Sequence, residues 1–76
     1  MAHGILFASA TRGHERAAIH VAEHPLGDDV QWVAGGELVF SKVCVNPLEV
    51  VTCAALLRAD MEALGWVFTA DTSTAH

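Results

Sequence analysis

After Asn46, apolar residues recur every three or four positions for about four turns: Val50, Cys53, Ala54, Leu57, Met61 and Leu64. That spacing makes one continuous stripe on an α-helix. The ends of the run carry matching signals. Asn46 can cap the helix with its side-chain oxygen, and Pro47 fits the first helical position, where a missing N–H costs nothing. Glu49, three residues after the cap, can reach back to the Asn46 N–H and complements the helix dipole. Gly65 can take the left-handed conformation that ends a helix. The opposite side is not properly polar, because Leu48, Val51, Ala55, Leu56 and Ala59 are scattered among Thr52, Arg58, Asp60 and Glu62. A lone surface helix rarely needs so much apolar area.

Elsewhere the period is shorter. Residues 4–10, centred on Ile5, Leu6 and Phe7, read as a buried strand. Residues 30–34 and 37–45 flank Gly35 and Gly36, a two-residue turn signal for a β-hairpin. With that turn Trp32 opposes Val39 and Val33 opposes Leu38, which leaves both faces of the hairpin apolar. Residues 65–69 give a final short strand, and residues 25–29 form a loop by composition. Residues 12–24 carry two patterns. Thr11 can cap a helix over 12–23 with Ala17, Ala18, Val21 and Ala22 inward, yet Ala17, Ile19 and Val21 also alternate as in a strand. Gly13 weakens a helix start and the alanines weaken a strand. The helix is the expectation carried forward.

The resulting class is α+β, a small antiparallel sheet with one or two helices on one face. The order is then β-α-β-β-α-β, the ferredoxin-like arrangement. The alternative is a β-meander followed by one helix and a last strand. A ferredoxin-like RNA binder needs exposed aromatics among basic residues, and a copper-chaperone version needs a paired-cysteine loop; the sequence has neither.

Seventy-six residues make one domain, expected over 1–70, with 71–76 as a small, polar, flexible tail. A chain of this size hides only about 60% of its unfolded surface. Yet 53% of its residues are hydrophobic, more than so small a monomer can bury, which points to association. Nine acidic side chains against four basic ones give a net charge of −5. Binding to a nucleic-acid backbone or an anionic membrane surface requires clustered Lys and Arg and is therefore not expected. No secretory signal or membrane-spanning run is visible. The two cysteines, Cys44 and Cys53, do not make a disulfide framework and read as reduced thiols in a cytoplasmic protein.

Candidate chemistry is sparse. His20 and His24 would lie one turn apart on a helix, able to approach one metal, but His14, Glu23 and Cys44 do not complete a zinc spacing. Cys44 stands near a helix N-terminus, where a dipole can lower a thiol pKa, without an identifiable base. The loop 11–15 could present N–H groups and Arg12 to an anion. None of these forms a recognised catalytic, metal or cofactor motif, so no catalytic residue, metal ligand or cofactor is expected. Trp66, beside the helix stop, is expected in the core.

The expectation is a small acidic interaction module, accessory, regulatory or inhibitory. It would act as a homodimer or on a protein partner through Trp32, Leu38, Val39, Phe40, Leu48, Val51 and Leu56. The alternative is a small-molecule-binding or enzymatic dimer with an apolar pocket between sheet faces, near His20, Cys44 or Trp32.

Overall fold

The computed structural model describes residues 4–69; the tail expected at 71–76 lies outside them. The chain runs β1 (Gly4–Arg12), β2 (Glu15–His24), β3 (Gly27–Ala34), β4 (Glu37–Cys44), α1 (Pro47–Ala63) and β5 (Val67–Phe68). The five strands form one antiparallel sheet in the order β4-β3-β2-β1-β5, a meander whose last strand returns to pair with β1. The fold is α+β, a meander with one helix, and the ferredoxin-like order is not what forms.

The difference lies at residues 12–24, where the alternation prevails over the helical pattern. Gly13, which weakened a helix start, has φ 61° and opens a two-residue turn between Arg12 and its partner Glu15. A glycine at that position suits a hairpin turn of the primed type, whose twist matches the flanking strands. Once β2 is a strand, Ile19 pairs with Trp32 and is fully buried. The loop expected at 25–29 shrinks to Pro25 and Leu26, where the Leu26 N–H donates to His24 Nδ1 at 3.1 Å. Gly27, Asp28 and Asp29 join β3.

Two bulges set which residues share a face. In β4, Val33 opposes Leu38 as expected, but Trp32 opposes Phe40 rather than Val39, which is the extra residue. In β1 the irregularity falls at Phe7, and both Leu6 and Phe7 are exposed rather than buried. The helix-covered face carries Ala10, Ala17, Ile19, Val30, Trp32 and Cys44, all buried. On the other face the pairings place a mixed set, including His20 beside Gln31 and Gln31 beside Ser41, so that face is less apolar than expected.

The helix closes the core from one side with Ala54 and Leu57, while Val50, Cys53 and Met61 are partly buried. Leu64, the last of the expected stripe, is exposed. Asn46 caps the helix by accepting from the Glu49 N–H at 2.9 Å, and Pro47 occupies the first turn. Glu49 reaches back one residue further than expected, accepting from the Val45 N–H at 3.0 Å. At the other end Gly65 has φ 99°, the Gly65 N–H donates to the Glu62 carbonyl, and the Trp66 N–H donates to that of Met61. That arrangement satisfies the last helical carbonyls. The core then meets at Trp32, whose ring stands edge-on to Trp66 at 5.2 Å and tilted against Phe68 at 6.0 Å. Trp66 is a core residue, as expected.

Candidate apolar groove between β4 and α1

The most site-like concavity is a groove of about 620 Å³ between β4 and α1. Its floor is Phe40, Lys42 and Cys44, which alternate along β4 and so point to the helix side. Its outer wall is Leu48, Thr52, Leu56 and Asp60, four apart on the helix and therefore one above another. Glu49, Cys53, Leu57 and Met61 close the inner side. The helix packs mainly over β3 and β4, so this groove opens at the sheet edge.

Seven residues were expected at an interface, and the structure brings only some together. Phe40, Leu48 and Leu56 line the groove. Leu38 and Val39 are exposed on the same edge strand, beyond the groove. Val51 is exposed on α1 but does not line it. Trp32 is buried at 3% exposure and has no surface to offer. Its aromatic bulk serves the core, a role that alternation alone could not distinguish from an interface role. Lys42, Thr52 and Asp60 were missed as groove residues. Their signal was the spacing of two along β4 and four along α1.

Cys44 and Cys53 both line the groove and both are free thiols. Burial pushes the Cys44 thiol above its ordinary pKa; the neighbouring Cys53 and the Glu49 carboxylate add to this, and Lys42 opposes it. The thiol is thus held protonated, the reverse of the lowering considered from its place near a helix N-terminus. A nucleophilic role needs the thiolate.

The other candidates are reassigned by the fold. His20 and His24 lie on a strand, where four residues span about 13 Å, too far for one metal ion. Among the described residues, no group of three or more His, Cys, Asp or Glu is placed to hold a metal. Arg12 is committed within the chain. It pairs with Glu15 at 2.9 Å, donates to the Leu64 carbonyl at 3.1 Å and stacks over the Trp66 ring at 4.6 Å. The loop 11–15 therefore pins the C-terminal end of the helix to the first hairpin rather than presenting Arg12 to an anion. Among the described residues, no helix is long and apolar enough to cross a membrane.

Comparison with protein-family models, with curated proteins and with solved structures finds no match for the chain.

Proposed function

We propose that the chain is a small, non-catalytic interaction module of the cytoplasm, accessory, regulatory or inhibitory in class. It works through the apolar surface at the β4–α1 edge, as a homodimer or with a protein partner. One observation carries the reading: Phe40, Leu48 and Leu56, 42–74% exposed, line one groove at the β4 edge, and Leu38 and Val39 are exposed next to Phe40 along the same strand. Scattered exposed leucines are ordinary, whereas a contiguous apolar patch usually marks an interface. Sedimentation equilibrium of the wild type and Leu56→Asp tests it. Association at micromolar concentration, weakened by the substitution while the circular dichroism spectrum holds, is the expected result. A wild type that binds neither itself nor any protein of its host, with Leu56→Asp behaving identically, would refute the module.

The groove itself supports a second reading, a small-molecule binder. Its volume lies within the range of ligand pockets, and Lys42, Glu49, Thr52 and Asp60 stand among its mostly apolar lining. The pocket lies between helix and edge strand, not between two sheet faces. A compound retained by the purified protein in native mass spectrometry, and lost in Leu56→Asp, would favour this reading.

A further inference from the structure

The two edges of the sheet differ. β5 is two residues long, while β4 is eight residues long and exposes six of them, Leu38, Val39 and Phe40 included. A long edge strand with exposed apolar residues is a template for another strand; charges and bulges can blunt such an edge, and β4 carries both, so a partner strand must match its charges and its bulge. We propose that β4 pairs antiparallel with β4 of a second copy, about a two-fold axis between Val39 and Phe40. This rests on the interaction-module reading and names the partner as the chain itself.

Charge and register together select this axis. Glu37 and Lys42 are the charged residues of β4, and among the described residues neither has an ion-pair partner. Five positions apart on an unbroken strand, they would point to opposite faces. The bulge at Val39 changes that: Glu37 pairs with Ala34 and Lys42 with Val30, so both belong to the helix-covered side. About the proposed axis Glu37 stands opposite Lys42 of the second copy, and Lys42 opposite its Glu37. Leu38 meets Ser41 of the second copy on the outer face. The strand is therefore complementary to itself, as an isologous contact requires. Other axes fare worse. Centring on Lys42 opposes like charges, and centring on Ser41 leaves Glu37 beyond the ladder.

The axis stands perpendicular to the sheet, so the two helices lie on the same side of a ten-stranded sheet. Both grooves then open toward the seam, where Phe40, Leu48 and Leu56 of each copy can share one apolar cover. The edge ladder, the two ion pairs and the apolar cover thus all support the same arrangement.

The test is a charge exchange read by sedimentation equilibrium at low ionic strength. Glu37→Lys alone sets a lysine against a lysine at each of the two pairings, and Lys42→Glu alone sets a glutamate against a glutamate. Each single variant is expected to raise the dimer Kd by about tenfold or more. In an equimolar mixture of the two single variants, the mixed dimer sets lysine against glutamate at both pairings, so mixing them should also restore association. The double variant Glu37→Lys/Lys42→Glu restores both attractive pairs with their signs reversed and should return Kd to near the wild-type value. Circular dichroism of each variant confirms that the fold is retained. Three outcomes overturn the pairing: a monomeric wild type up to about 100 µM, single variants that dimerise like wild type, or a double variant no tighter than the singles. If the exchange fails while Leu56→Asp still dissociates the protein, the edge pairing falls and the apolar-surface reading stands.

Discussion

Gly27 admits no side chain without a shift of the neighbouring backbone. Its φ of 151° is rarely adopted by L side chains, and a Cβ there would run into the backbone carbonyl of Cys44. Because that obstacle is backbone on the neighbouring strand, the strand must shift to admit a methyl group. Gly27→Ala is expected to lower stability by roughly 1–3 kcal/mol in denaturant melts, more than Gly13→Ala, whose added Cβ meets nothing within 4 Å. Cys44 makes a different kind of statement. Its folded-state pKa is raised, so the folded chain keeps this proton more tightly than the unfolded chain does. The contribution is fully present below the ordinary thiol pKa and is lost as pH rises through the raised folded-state value. Alkaline titration should therefore destabilise the wild type more than Cys44→Ala, when each is compared with its own stability at neutral pH. Iodoacetamide at neutral pH should label Cys53 before Cys44, as read by peptide mass.

Helix α1 was legible almost to the residue because its signals are local. A cap, a proline and a terminal glycine act within one turn, and the 3.6-residue period repeats often enough to be unambiguous. Asn46→Ala should cost about 1 kcal/mol through the orphaned N–H. Leu57→Ala should cost about 2–5 kcal/mol, since Leu57 is 6% exposed and its removal leaves a cavity. Leu48→Ala, at 74% exposure, should change monomer stability little. If the three variants melted alike, the inward face would be misassigned. The second element was not legible for a physical reason. Alanines at 17, 18 and 22 satisfy a helix and a small-residue strand equally, and the choice is made by pairing with β1 and β3, which no local window contains. The bulges at Phe7 and Val39 were invisible likewise, since no glycine or proline marks them.

For the whole molecule, the excess of apolar residues was a sound guide to exposed area, but the sequence could not say where that area gathers. Phe40, Leu48 and Leu56 meet only because α1 crosses back over β3 and β4. Trp32, an equally plausible surface anchor by pattern, is taken inside by Trp66 and Phe68. The route of the chain has a kinetic side as well. Three of the four ladders join neighbouring strands through two-residue turns, whereas β5 must find β1 across the entire intervening sequence, placing Phe68 beside Ala10. Local hairpins close in microseconds, and a distant pairing carries the larger loop entropy. The edge-on contact of Trp32 with Trp66 joins the meander to the residue that leads into β5, so the protein contains its own optical clock for the docking of its C-terminal part. In stopped-flow refolding, tryptophan fluorescence of Trp66→Phe should lose the part of the signal that reports this docking, while amide circular dichroism continues to follow the meander.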